Sequence, residues 1–419
     1  MKTGDKIRFF RITQKKTQEE LSAGIISNSY LSKIENNQAL PSDEVLLLLS
    51  ERLGISLQSN SEKFLSDISA WYKSITDRDK VLASSLFDEL ESQIDLLDDS
   101  TVLIYFTLVK FRYYLLTEDT SRLHETSQYL MKLRELFNEK MEYYYLKFTA
   151  IYFYSLSQFN EAHNYLNNAE PFLLKNELEK WEEADFYFFF GLVASRMYQD
   201  ILSIEYTQRA LNNYQADYAL ERCADCHLLL GIAYKNIKEY VKSEESYLTA
   251  RKIAFSLKVE NYYKGIIEHN LGNLYSIQGK SCLAIKHFSK AFTFKKHGPI
   301  NPQLITLYSL VKENYKLKQF NKVEKWLAIG LEKINGLESD YYEFFLHFNV
   351  YKFELMKEKD SSYEEFMKLK VIDFFVNTND HEHIALYSEY LGQHFENKHF
   401  YKQAAKYYAL SKNALWQLI

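Results

Sequence analysis

The sequence is 419 residues long, 47% hydrophobic, and carries a formal net charge of −5. It is too apolar for a disordered chain and longer than the roughly 250–300 residues at which one core stops growing, so several domains or a repeat array are expected. With only 12 glycines and 4 prolines, the turn-formers of an all-β or doubly wound fold are mostly missing, and a nearly all-α chain follows.

The net charge gives no general attraction to nucleic acid. Residues 1–16, however, hold Lys2, Lys6, Arg8, Arg11, Lys15 and Lys16 against Asp5 alone, which places any DNA contact at the N-terminus. No apolar leader is visible, and the longest aromatic and aliphatic run, Phe186 to Ala194, is far short of the roughly 20 residues of a membrane span. A cytoplasmic protein without membrane contact is expected. Cys223, Cys226 and Cys282 are an odd number in a long chain and read as free thiols in a reducing compartment.

Residues 1–57 read as a domain of five short helices. Ile7 and Phe10 mark an amphipathic first helix, and Thr17 begins a second with Glu20 at the capping-box position. Gly24 closes it. Ser27 caps a third helix, Asn28 to Asn36, whose Leu31 and Ile34 share a buried face while Asn28, Ser29, Ser32 and Lys33 point away. Pro41-Ser42-Asp43 starts a helix bearing Val45, Leu46, Leu49 and Leu53 and ending at Gly54. Two short helices about a tight turn, the second presenting polar residues, form the arrangement that enters the major groove. The stretch Thr17-Gln18-Glu19-Glu20-Leu21 followed by Ser29-Tyr30-Leu31-Ser32-Lys33-Ile34-Glu35-Asn36 resembles the phage-repressor (Xre-type) helix-turn-helix family. The resemblance implies that Gln18, Asn28, Ser29 and Lys33 face the groove, that Asn36 and Gln38 position the phosphates, and that Glu35 is structural. The alternative is that these helices only cap a repeat array or form a dimer contact. Asn37 stands where that family often has glycine, and asparagine tolerates left-handed backbone.

Gln58-Ser59-Asn60-Ser61 opens a polar linker, placed at 58–63. Over 64–100 a helical hairpin is expected, a possible capping repeat, with Phe64, Leu65, Ile68, Trp71, Tyr72 and Ile75 on one stripe and Val81, Leu82, Leu86, Leu90, Ile94 and Leu97 on the other. From 101 to 419 the chain repeats itself. Leu230-Gly231 with Tyr234, Ser243, Tyr247 and Ala250 recurs as Leu271-Gly272 with Tyr275, Ala284, Phe288 and Ala291. Anchors at 111, 150, 191, 231, 272, 311, 352 and 392 lie 39 to 41 residues apart. A small residue on each of two antiparallel helices, with aromatic residues between, is the tetratricopeptide pattern lengthened by about six residues over its usual unit of roughly 34. The fold expected is all-α: an N-terminal helix-turn-helix followed by a right-handed superhelix of about eight tetratricopeptide-like repeats.

The first helix of each repeat should line a concave groove. Arg196, Lys235, Asn236, Asn270, Asn273, Tyr308, Lys312, Tyr315 and Asn349 fall on that face, where amides can pair with a peptide backbone and cations with its carboxylates. A short extended peptide fits this chemistry. Cys223-Ala224-Asp225-Cys226-His227 has the spacing of a haem attachment motif but lies inside an expected helix, where packing cysteines are the better reading. His381-Glu382-His383 lacks the i, i+4 spacing of helical metal ligands and reads as a solvated helix start. No metal, cofactor or catalytic constellation is expected, so the chain does not read as an enzyme.

A helix-turn-helix joined by a short hinge to such repeats resembles the RRNPP group of peptide-pheromone receptors. The resemblance implies a quorum-sensing transcriptional regulator with a double-stranded DNA operator and a secreted, re-imported oligopeptide as ligands. It also implies self-association, as a dimer and with peptide a tetramer, and, in a member of this length, binding to a response regulator of the sporulation phosphorelay. The alternatives are a phosphorelay-binding sporulation inhibitor or interaction scaffold built on the same repeats, and a constitutive repressor that uses them only to dimerise.

Overall fold

The computed structural model describes residues 3–55, 61–94, 99–176, 178–257, 259–356 and 360–417. Every regular element among them is helical. The chain divides into two compact units, Met1–Ala233 and Tyr234–Ile419.

Unit 1 begins with four short helices rather than five: α1 (Thr3–Thr13), α2 (Gln18–Ser22), α3 (Asn28–Glu35) and α4 (Asp43–Leu53). The sequence sets their ends. Thr17 and Glu20 form a reciprocal capping box, the Ser27 hydroxyl accepts from the Tyr30 amide, and the Ser42 hydroxyl accepts from the Val45 amide; each cap satisfies amides that the first helical turn leaves unpaired. Asn37 has φ 54°, the left-handed turn expected there. Ile7, Phe9, Phe10, Leu21, Leu31, Ile34, Leu49 and Leu53 make the core.

Helical hairpins follow. In unit 1 they are α5 (Ser61–Thr76) with α6 (Lys80–Gln93), α7 (Ser100–Thr117) with α8 (Thr120–Leu133), α9 (Glu139–Ser155) with α10 (Phe159–Lys175), α11 (Lys180–Arg196) with α12 (Asp200–Ala216), and then α13 (Leu220–Asn236), whose last residues open unit 2. Unit 2 continues with α14 (Tyr240–Ser256), α15 (Asn261–Ile277) with α16 (Ser281–Lys295), and α17 (Ile300–Lys316) with α18 (Phe320–Ile334). It ends with α19 (Tyr342–Glu354), with α20 (Ser361–Phe366) and α21 (Asp373–Asn377) joined by a π-helical turn at Met367–Ile372, and with α22 (His381–Asn397) paired to α23 (Tyr401–Trp416). Of the linker expected at 58–63, residues 58–60 lie outside the described ones and 61–63 form the first turn of α5.

All eight repeat anchors fall on first helices, and their packing explains the period. Ala150, Ala162 and Ala169 are fully buried, as are Ala284 and Ala291. At Gly272 an added Cβ would stand 2.6 Å from the Phe288 ring, so only hydrogen there lets α15 and α16 close on each other. The anchor at Lys352 is off by one: Lys352 is exposed, and Tyr351, 1% exposed, fills the buried place.

The stripe expected for α6 holds at Leu90, which is buried, and at Leu86 and Ile94, which pack on the core, but not at Val81 and Leu82, which are exposed. Ala83, Phe87 and Leu90 face inward, while Val81 is 83% exposed; Leu97 lies outside the described residues. Trp71 decides the phase: its Nε1 donates to the Ala83 carbonyl at 3.0 Å and its ring packs on Phe87 and Phe106, which leaves room only for a methyl group at that crossing. The turns between first and second helices share one device, a left-handed residue at Arg78, Glu118, Ser157, Tyr198, Lys238, Gly279, Lys318 and His399.

Gly272→Val should cost about 1–3 kcal/mol by overpacking against the buried Phe288. A denaturant midpoint unchanged from wild type would contradict the close approach of α15 and α16.

Candidate functional site

In the N-terminal domain one buried carboxylate organises three helices. Glu35, 2% exposed, accepts from Arg11 Nε at 2.6 Å and Nη2 at 2.8 Å, and from Gln18 Nε2 at 2.8 Å. Arg11 also donates to the Lys16 carbonyl, and Lys16 to the Arg52 carbonyl. Arg8 pairs with Glu135. The basic first helix is therefore largely spent on internal contacts. The outward face of α3 is not: Asn28, Ser29 and Lys33 are exposed, as are Asn36 and Gln38, while Ser32 and Gln18 are half-buried and Gln18 commits an amide N–H to Glu35. Polar side chains on the second helix of such a pair can reach base edges and phosphates.

The first helices of unit 1 carry a buried ionic network that the sequence did not reveal. Lys147 is fully buried, with Nζ 2.8 Å from Asp185 and donating to the Tyr72 hydroxyl at 2.9 Å. Arg222 reaches the other Asp185 oxygen at 3.0 Å and the Tyr214 hydroxyl at 3.0 Å. Burial alone would push the Asp185 carboxyl up, but Lys147 and Arg222 hold it below the usual carboxylate range. Each side chain is compensated, and the network fixes α9, α11 and α13 relative to one another.

In unit 2 the first helices line a pocket of about 280 Å³ that brings together Asn273, Tyr308 and Lys312. The other expected groove residues are not in it. Asn270 and Asn349 donate back to the Ile266 and Phe345 carbonyls of their own helices, and Tyr315 donates to Glu354 at 3.1 Å. Lys235 is half-buried and Asn236 exposed at the end of α13. Arg196, in unit 1, is exposed and donates to the Tyr154 hydroxyl at 3.2 Å.

Sequence reading missed His269, Ser276, Glu313, Glu343, His347, Glu382 and His383, which also line the pocket. One signal was available: His269, Tyr308 and His347 lie 39 residues apart on successive first helices. His383 is not solvated. Asp380 accepts from its Nδ1 at 2.7 Å, and its Nε2 meets the Tyr308 hydroxyl at 3.0 Å. His347, 1% exposed, meets the Tyr387 hydroxyl through Nδ1 and Glu343 through Nε2 at 3.4 Å. These partners suit a neutral imidazole that accepts from the tyrosine and donates to the carboxylate. Burial, reinforced by His383, lowers its pKa to about 4 although Glu343 opposes. Cys223 and Cys226 are buried free thiols, as packing requires, and Cys282 is exposed. No cluster of metal-ligating side chains and no helix long and apolar enough to cross a membrane occurs among the described residues.

The helix-turn-helix family matches residues 7–59, and the family described as the N-terminal part of response regulator aspartate phosphatase H matches residues 58–118. The chain is 39% identical over 409 residues to the transcriptional activator NprA of Geobacillus stearothermophilus, covering 95% of this chain and 100% of that one. The chain belongs to the RRNPP family. It is a transcriptional regulator of that family, with a helix-turn-helix and helical repeats. Response regulator aspartate phosphatase H of Bacillus subtilis (strain 168) is 25% identical over 359 residues, 81% of this chain and 92% of that protein. Among solved structures, the apo form of the quorum sensor NprR from B. thuringiensis superposes with a TM-score of 0.72 at 18% identity, covering 85% of this chain and 100% of that one. NprR in complex with its cognate peptide NprX superposes with a TM-score of 0.59 at 18% identity, covering 85% and 99%. Both share the repeat fold of this RRNPP chain.

The buried histidine makes the regulator acid-sensitive. As pH falls below 6.5 the unfolded chain takes up the His347 proton while the folded chain stays neutral to about pH 4, so stability is lost across that window, by about 2 kcal/mol between pH 6.5 and 5. The denaturant midpoint of His347→Asn should fall less steeply than that of wild type over this range; parallel profiles would refute the assignment.

Proposed function

We propose that this protein is a cytoplasmic, non-catalytic quorum-sensing regulator that reads an operator with α3 and is controlled by a short peptide held along the first-helix face of its repeats. Asn28, Ser29, Ser32 and Lys33, with Gln18, are the base-reading set, and Asn36 and Gln38 the phosphate-positioning set. The observation that carries the reading is the pairing, in one chain, of an exposed polar recognition helix with a pocket where Asn273, Tyr308 and Lys312 converge from successive first helices. A complex of the structural relative NprR with its cognate peptide NprX supports a peptide as the ligand.

The peptide must bind the DNA-competent arrangement more tightly than the alternative, or it would shift nothing. Two copies of the chain then present two reading heads whose separation sets the half-site spacing of the operator. Lys235, Asn236, Asn270, Tyr315 and Asn349 extend the binding face of unit 2 around the pocket residues, and Arg196 is the corresponding first-helix contact of unit 1. A second activity, binding a phosphorelay response regulator through α5 to α7, is favoured by the match of residues 58–118 to the N-terminal part of a response regulator aspartate phosphatase.

Selection from a randomised duplex pool with the full chain should recover a two-fold symmetric site. Asn28→Ala with Lys33→Ala should lower affinity for that site at least roughly tenfold, since a base contact is worth about 1–3 kcal/mol. Recovery of no motif, or full affinity in the double variant, would leave the scaffold alternative standing.

A further inference from the structure

We propose that the pocket of unit 2 receives a cationic side chain of the bound peptide, lysine or arginine, with Glu313 as its buried acceptor and Glu343 and Glu382 at its mouth. The proposal rests on the peptide-binding reading above and adds the chemistry of one ligand position.

The first observation is an unsatisfied oxygen. Glu313 is 1% exposed and lines the pocket. Its Oε1 accepts from Ser276 Oγ at 2.7 Å and Lys316 Nζ at 2.5 Å, the Ser281 side chain also interacts with the carboxylate, and its buried Oε2 has no partner within 3.5 Å. A buried carboxylate oxygen without a donor is costly, and a charged donor of the right reach recovers that cost. The second observation is the balance of charge. The lining holds one lysine against three glutamates; Lys312 is turned to Glu382 at 3.0 Å and Lys316, behind the lining, to Glu313, so the acids still outnumber the lysines by one. His347, which burial keeps neutral, adds no positive charge. A peptide carboxylate would meet repulsion here, which reverses the expectation that groove cations hold carboxylates.

The walls fit the same guest. Tyr308, Phe344 and Phe288 offer aromatic faces to an aliphatic stem and its charged head. Glu343 and Glu382 are exposed, so they can meet the cation on entry and lose little water until it is seated.

A pool of synthetic heptapeptides, randomised at every position without cysteine, tests this. The full chain and its Glu313→Gln/Glu343→Gln variant are each incubated with the pool, and retained peptides are recovered by size exclusion and sequenced. Wild type should enrich lysine or arginine at one position about tenfold, and the variant, with an unchanged melting profile, should retain peptides without that enrichment. If the double variant does not fold, Glu343→Gln alone, at an exposed position, should weaken the same preference. A wild-type selection without basic preference, or a folded variant that keeps it, overturns the cationic subsite and leaves peptide binding intact. Retention of no peptide by wild type refutes the groove reading itself, and the subsite with it.

Discussion

The close approach of two antiparallel helices at a crossing of small residues is the constraint from which the rest follows. Where Gly272 meets Phe288, or where α9 and α10 pair with Ala150, Ala162 and Ala169 fully buried, the backbones come near enough for the larger side chains to be pushed to either side, against the neighbouring hairpins. Tyr143, Phe148, Phe186 and Phe190, all nearly inaccessible, fill the layers that result. One face of each first helix is then left without an apolar partner, and that face carries Asn273, Lys312 and the acids of the pocket. The polar pocket is a by-product of how the hairpins pack.

In the N-terminal domain the same economy is reached with charge. Glu35 is buried, yet it is matched by the bidentate Arg11 and by Gln18, so three short helices with a small core share one polar anchor. Losing either partner would leave a buried charge uncompensated, which is more damaging than never having placed it there. Because this anchor faces inward, Asn28, Ser29 and Lys33 on the other side of α3 are left exposed.

The helix caps at Thr17, Ser27 and Ser42 and the forty-residue period were legible in the sequence because each is a local pattern: a hydroxyl before a helix, or a small residue at a fixed offset from an aromatic one. The inward face at the start of α6 was not, since it is Trp71, on another helix, that demands a methyl group at position 83. Tyr351 displaced Lys352 for a similar reason, the inward place being defined by what stacks beside it. In the pocket the residue types were visible but their pairing was not. Lys312 read as a cation open to a ligand, whereas it faces Glu382 of another first helix. His383 read as solvated because Tyr308, 75 residues away in the chain, could not be brought to it by inspection.

The left-handed turn residues carry one last implication. Among the described turns between first and second helices only Gly279 is glycine; the others, from Arg78 to His399, hold side chains in a conformation that costs them about 1–2 kcal/mol. Such residues have few other shapes to sample, so those elbows are stiff, and strain placed on them passes on into the packed layers. Gly279 alone has the backbone latitude to give way. It adjoins the end of α15, the helix that carries Asn273 and Ser276, so among the described turns of this kind the glycine elbow stands at the foot of the pocket.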